Sequence, residues 1–276
     1  MIDTIPYPGS KRTCVDRRLP LLGVGPLLVS PFVGMAALEV AALEARRFDR
    51  ALLSDSSPHV IAVLSAIQTD PARVGVEQER QRARIAGDAD ELAAVQAEIG
   101  EALRVNAPTW ETAGRILGAS CWSYSRLWRV NSAGQMNTPV DRRGRPAVAS
   151  ATLQRYAAAL ARADIRLCPW TDALAGERRA TLYVDPPYLG AGGFVEYTAA
   201  GWREADALAL ADRLAELRGC RVILSEQEPG GGALYHARIS AARRCTRHAF
   251  ERRRNLRGDQ MSAVRREITL VSPAIV

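Results

Sequence analysis

Asp185-Pro186-Pro187-Tyr188 closes the apolar run "TLYV" and joins a carboxylate, a main-chain carbonyl and an aromatic ring at one corner. Each proline ring fixes φ and removes an N–H, and the residue before a proline is pushed toward extended backbone. The Asp185 carboxylate and the neighbouring carbonyl are thereby held as a pair of acceptors at the strand end. Two acceptors suit the two hydrogens of an exocyclic amino group. The lone pair of such an amine is delocalised into its ring. Acceptors aimed at its hydrogens draw the nitrogen toward tetrahedral geometry and free the pair for attack, which is catalysis by positioning and electrostatics. Tyr188 can stack on a flat heterocycle.

Two further turns carry similar signals. "VSPFVGM" ends an apolar run with Pro31 and Gly34, where a missing side chain lets backbone approach a ligand closely. "ALLSDSSP" ends another at Asp55, an acid suited to a pair of ribose hydroxyls; Ser56, Ser57 and Pro58 then open a helix. In an open parallel sheet, ligands bind beyond the carboxyl ends of the strands. The three corners together imply a nucleoside-containing cofactor, although the glycine pattern is not GxGxxG.

These corners need a sheet to align them. Apolar runs at Leu27–Val29, before Asp55, before Asp185, in "CRVILSEQEPGGG" and in "EITLVSP" read as strands. Helical stretches alternate with them, including "READALALADRLAELRG" with Leu208, Ala211, Leu214 and Leu217 on one face. This is the pattern of an α/β protein with a mostly parallel, Rossmann-like sheet and helices on both faces. The middle departs from it. Residues 70–104 are charged and helix-prone, and "SCWSYSRLWRVNSAGQMNTPVDRRGRP" (120–146) is polar, aromatic and arginine-bearing, with loop or hairpin signals. The expected organisation is a catalytic unit of residues 1–55 and 151–276 interrupted by a mainly helical and loop insertion, 56–150.

The 276 residues are 47% hydrophobic and 24% charged, ordinary for a globular protein. No apolar stretch nears the roughly 20 residues of a membrane span, and the N-terminus lacks the apolar core of a signal peptide. Cys14, Cys121, Cys168, Cys220 and Cys245 are scattered, and His59, His236 and His248 lie far apart. The expectation is a cytoplasmic protein with neither disulfide framework nor metal site. The net charge is +7, and Arg238–Arg266 alone carries ten arginines against Glu251 and Asp259, a local +8 that leaves −1 for the rest. A basic block on a neutral body suits a polyanion such as nucleic acid. Lys11 is the sole lysine among 37 basic residues, a survivor where a compact ammonium is needed.

In this order the motifs resemble the Dam-like DNA adenine N6-methyltransferases across nearly the whole chain. "YPGSKR" is similar to the family's opening aromatic-x-Gly-Gly-Lys, "SPFVGM" to its first cofactor motif, "LLSD" to its acidic motif, "RLWRVNSAGQMNTP" to its recognition segment, "DPPY" to its catalytic motif and "VILS" to its later strand. The resemblance implies S-adenosyl-L-methionine as cofactor, with Tyr7, Lys11, Pro31, Gly34, Asp55 and Asp185 around it. It implies double-stranded DNA as partner and a flipped adenine stacked on Tyr188, with Asp185, Pro186, Pro187 and Tyr188 as the catalytic corner. Arg129, with Leu127 and Pro139, would read base edges; Asn137 would also bind DNA; Tyr124 would wedge into the duplex; Arg142, Arg143 and the block Arg243–Arg254 would hold phosphates. A GATC-like site is compatible. Trp122 and Trp128 read as local core. Ser30 stands where the family carries glutamate, Ala36 near a second glycine, Ser10 at a glycine of the opening motif, and Pro6 where some relatives have a DNA-contacting lysine. The acceptor pair would also serve the cytosine N4 amine, and a DNA-binding relative without catalysis is the other alternative.

Overall fold

A computed structural model describes residues 3–11, 13–105, 109–176, 179–189, 201–228, 231–253 and 264–274, with side chains described outside 251–253 and 264–266. Its elements run α1 Val15–Leu22, β1 Gly25–Ser30, α2 Ala37–Glu44, β2 Phe48–Asp55, α3 Pro58–Thr69, α4 Pro71–Ile85, α5 Ala89–Arg104 and α6 Trp110–Trp122. There follow α7 Ser150–Leu160, β3 Ala163–Leu167, α8 Trp170–Ala173, β4 Ala180–Val184, α9 Glu204–Glu216, β5 Cys220–Glu228, α10 Gly232–Ala242, β6 Thr246–Arg253 and β7 Val264–Ser272.

The strands form one sheet in the order β3-β2-β1-β4-β5-β7-β6. β3, β2, β1, β4 and β5 are parallel, and β7 enters antiparallel between β5 and β6. Successive side chains of a strand point to opposite faces. Leu28, Tyr183 and Ile223 accordingly join one core with α1, α2, α3 and α7, while Val29, Leu182, Val184, Val222 and Leu224 join a second with α9 and α10. Helices therefore cover both faces, which is why all five residues of β4 are buried. In α9 the buried residues are Ala207, Leu210, Ala211 and Leu214; Leu208 is only half-buried, so the apolar stripe is rotated from the expected one.

Between β2 and β3 the described residues build five α-helices, α3 to α7, and a hairpin. Ser57 caps α3 by accepting from the Val60 N–H, with Pro58 in its first turn, as the sequence suggested. α3 packs on β2 and β3, and α4 packs closely on α6. That approach depends on glycine: a Cβ on Gly114 would stand 2.5 Å from Glu77 Cβ, and one on Gly118 2.7 Å from Gln81 Cβ. Buried Gln78 exchanges hydrogen bonds with the Val148 backbone at 3.0 and 3.1 Å. Gln96 donates to the Thr138 carbonyl at 3.0 Å and ties the hairpin to α5. Trp128 is buried and Trp122 half-buried, its indole donating to the Arg82 carbonyl, which is the local packing expected of both.

Candidate active site

A cavity of about 1080 Å³ opens at the carboxyl ends of the parallel strands. It lies where the strand order reverses between β1 and β4, the switch point of a doubly wound sheet. Three of its walls are the corners read from the sequence.

The first wall is the turn after β1. Pro31 and Gly34 line the cavity, and Gly34 has φ +49°, backbone that glycine adopts without penalty. A Cβ there would stand 3.1 Å from the Tyr7 ring, so the glycine also admits Tyr7. Tyr7 in turn rests edge-on against Trp128, with ring centroids 5.3 Å apart. Ala36, two residues on, has φ +51°, a left-handed conformation on a residue with a Cβ. The glycine expected near this position by resemblance has a conformational reason.

Asp55 joins the first wall to the second. Its carboxylate accepts from the Gly34 N–H at 3.0 Å and from the Ser57 N–H at 2.9 Å. Burial pushes its carboxyl up to about 6, while these amides pull it down. The β1 turn and the β2 end are thus clamped together by one side chain.

The third wall is the corner after β4. Asp185, Pro186, Pro187 and Tyr188 all line the cavity. Lys11 Nζ lies 2.6 Å from Asp185 Oδ2, with the side chains only 7% and 16% exposed. The same ammonium donates to the Gly9 carbonyl at 3.1 Å and sits 4.9 Å from the centre of the Tyr188 ring. The Tyr188 hydroxyl donates to Asp185 Oδ1 at 3.1 Å, and burial together with the Asp185 charge holds that hydroxyl well above its usual range. In this arrangement both Asp185 oxygens are engaged and the Tyr188 ring lies beside Lys11.

The hairpin closes the fourth side. Tyr124, Ser125 and Leu127 reach the cavity. Ser125 and Arg126 both have φ +54°, two consecutive left-handed residues that leave Tyr124 54% exposed at the rim. Leu127, Arg129, Asn137 and Pro139 share one short hairpin. The Asn137 N–H donates to the Arg129 carbonyl, Tyr124 N–H to the Pro139 carbonyl, and Thr138 Oγ1 to the Leu127 carbonyl. Arg129, Asn137, Pro139 and Arg142 are exposed, and Leu127 is half-buried. Of the six residues expected to meet DNA, Tyr124 and Leu127 line the cavity, and Arg129, Asn137, Pro139 and Arg142 do not.

The basic block divides. Arg243 is 4% exposed and donates to the carbonyls of Leu214, Leu217, Cys220 and Pro273 and to Ser272 Oγ. It locks the end of α9 to β5 and β7, so its expected role as a phosphate contact is wrong: five acceptors already hold it. Arg247 is paired with Glu228, and Arg238 with Asp212. Arg254 and the side chains of Arg252 and Arg253 lie outside the described residues.

Several cavity groups had no sequence signal that singled them out. Glu39 reaches the cavity from the apolar helix α2 and accepts from Ser30 Oγ at 2.7 Å. Burial pushes its carboxyl up to about 7, with the Ser30 hydroxyl acting the other way. Glu267 on β7 lines the cavity and receives Arg18 at 2.7 Å, in a pair where Arg18 is fully buried. Phe32 and Trp202 form an edge-on pair with centroids 5.5 Å apart, and Trp170 lines the same side. An acid inside the run "ALEVAALE" was the available clue to Glu39.

The family model of the D12 class N6 adenine-specific DNA methyltransferases matches residues 7–261. The chain belongs to that family, and it is an adenine-specific DNA methyltransferase by class. A comparison with curated proteins gives no match. Among solved structures, a precorrin 8w decarboxylase from Methanobacterium thermoautotrophicum is similar at 10% identity and TM-score 0.43, covering 99% of this chain and 100% of that one. An rRNA methylase from Streptococcus thermophilus is similar at 9% identity and TM-score 0.38, covering 94% of each chain. Among the described residues no cluster of three or more His, Cys, Asp or Glu could hold a metal, and no helix is long and apolar enough to cross a membrane.

Proposed function

We propose that the cavity binds S-adenosyl-L-methionine and that the Asp185 corner presents a flipped adenine to it. The observation that carries this reading is the convergence of the Gly34 turn, Asp55 and Asp185 on one cavity. The residues suit such a molecule. A half-buried acid stands at the end of β2 for ribose hydroxyls, glycine removes the side chain beside it, and aromatic side chains supply apolar faces for a base. S-adenosyl-L-methionine would supply an activated methyl group. Asp185 and the Pro186 carbonyl would accept from the adenine amine and raise its nucleophilicity. Lys11 would hold the Asp185 carboxylate in place as an acceptor, and Tyr188 would release it to stack on the base.

Residues 56–150 serve in this reading as the target-recognition insertion, seated on the sheet through α3. Tyr124 is the wedge, offsetting the few kcal/mol that extrusion of a base costs. Arg129 reads a base edge with Leu127, Asn137 and Pro139, and Arg142 contacts phosphate. A GATC-like target fits this arrangement, and the enzyme would work in the cytoplasm, where DNA and the methyl donor meet. Titration calorimetry tests the cofactor half: S-adenosyl-L-methionine binds the wild type at micromolar affinity and binds Asp55→Ala at least tenfold more weakly. Absence of binding by the wild type would reject this reading.

A further inference from the structure

Glu39 is 2% exposed, yet it lines the cavity from the first turn of α2. Its one hydrogen-bonding side-chain partner is the neutral Ser30 hydroxyl at 2.7 Å. Among the described residues no Lys, Arg or His forms an ion pair with it. A buried carboxylate without a cation is costly, and it is retained where a ligand can bring the cation.

Its place in the cavity narrows the choice of ligand group. The charges that act on Glu39 are those of Asp185 and Lys11, whereas the partners of Asp55 are the amides of Ser57, Gly34 and Ser56. Glu39 therefore belongs to the Asp185 side of the cavity. A sulfonium methyl donor has three arms on its sulfur: a nucleoside, a methyl and an amino-acid chain. On the proposed function above, on which this inference rests, Asp55 takes the first and Asp185 faces the second. The third must leave the sulfur near Glu39, and it carries an ammonium.

We propose that Glu39, oriented by the Ser30 hydroxyl, is the counter-charge for the α-ammonium of the methyl donor's amino-acid arm. Ser30 is a positioning residue: its hydroxyl occupies one carboxylate oxygen and leaves the other for the ligand.

The test compares three probes by titration calorimetry: S-adenosylmethionine, S-adenosylhomocysteine, which keeps the ammonium but lacks the sulfonium charge, and 5′-methylthioadenosine, which has neither. Glu39→Gln is expected to weaken the first two alike, by about tenfold to a hundredfold, the usual scale for a charged hydrogen bond, and to leave the third unchanged. Because residues 30 and 39 touch, Ser30→Glu combined with Glu39→Leu returns a carboxylate to the same place and restores affinity for S-adenosylhomocysteine. Loss confined to S-adenosylmethionine would assign Glu39 to the sulfonium and overturn the proposal. Equal loss of all three probes, or homocysteine-analogue binding within about twofold of wild type, would overturn it too. Should Glu39→Gln prove unstable, Glu39→Asp, which withdraws the charge by one methylene, must give the same selective pattern. If the wild type binds none of the probes, the cofactor reading itself fails, an outcome distinct from these.

Discussion

Lys11 Nζ lies 2.6 Å from Asp185 Oδ2, at the centre of a cavity whose other walls are set by Gly34 and Asp55. The contact joins the loop before α1 to the corner after β4, 174 residues apart in the chain (185 minus 11). A flexible cation holding the central carboxylate has a kinetic consequence. Lys11→Ala is expected to lower kcat for DNA methylation by about tenfold to a thousandfold, and Asp185→Asn by more than about a thousandfold. Thermal unfolding of both variants, measured alongside, should fall by less than activity does, because the pair faces the cavity and Tyr188 also binds Asp185.

The buried pair Arg18–Glu267 should behave in the opposite way. Arg18 is fully buried and stacks 5.2 Å from the centre of the Phe250 ring. Arg18→Met removes the buried Arg18 guanidinium from the Glu267 pair and should cost about 3–5 kcal/mol in denaturant unfolding, whereas Arg18→Met with Glu267→Leu should be much milder. Equal losses in the single and double variants would contradict a paired role.

Ala36 offers a gain. Its φ of +51° is a left-handed conformation that glycine reaches freely. Ala36→Gly should raise stability by about 0.5–1 kcal/mol despite the greater freedom of glycine in the unfolded chain. Gly34→Ala should do the reverse, since its Cβ would press on the Tyr7 ring at 3.1 Å.

The pH dependence of stability has a defined sign at Glu226. Burial pushes its carboxyl up to about 8 from an ordinary value of 4.5. The folded state then holds a proton that the unfolded state has lost between pH 4.5 and 8, so this group lowers stability as pH rises through that window, by up to about 1.4 kcal/mol per pH unit. Glu226→Gln should flatten that slope and gain stability over wild type at about pH 8. Parallel stability curves for the two proteins would contradict it.

How much of this could be read beforehand depends on where each signal lived. The Asp185 corner, the Gly34 turn and the Asp55 end were legible because each combines a strand stop with a residue type that local backbone chemistry demands. β3, "ADIRL", escaped because it is an edge strand whose residues are half-buried or exposed, leaving no apolar run. β6, "TRHAFERR", was read as part of a basic block, since charge counting cannot tell which arginines a sheet will bury. Arg243 is the instructive case, its five acceptors being assembled from α9, β5 and the end of β7 with the chain after it. Glu39 was hidden for the same reason: its chemistry comes from Ser30, on a different element.

The exposed arginines should separate by function from the buried Arg243. Arg142→Ala is expected to leave stability unchanged and to weaken DNA binding uniformly across sequences, reducing the salt slope by about one. Arg129→Ala should relax discrimination at one base pair by about 1–3 kcal/mol in a competition assay. Arg243→Ala should instead unfold the protein at lower temperature, by stranding the carbonyls it now serves.

The most direct measurement is the identity of the methylated base. Duplex DNA is incubated with the protein and methyl-labelled S-adenosylmethionine, digested to nucleosides and separated. The label is expected in N6-methyldeoxyadenosine and to vanish with Asp185→Asn. Label in N4-methyldeoxycytidine, or label in adenine that survives Asp185→Asn, would contradict the catalytic role of the Asp-Pro-Pro-Tyr corner.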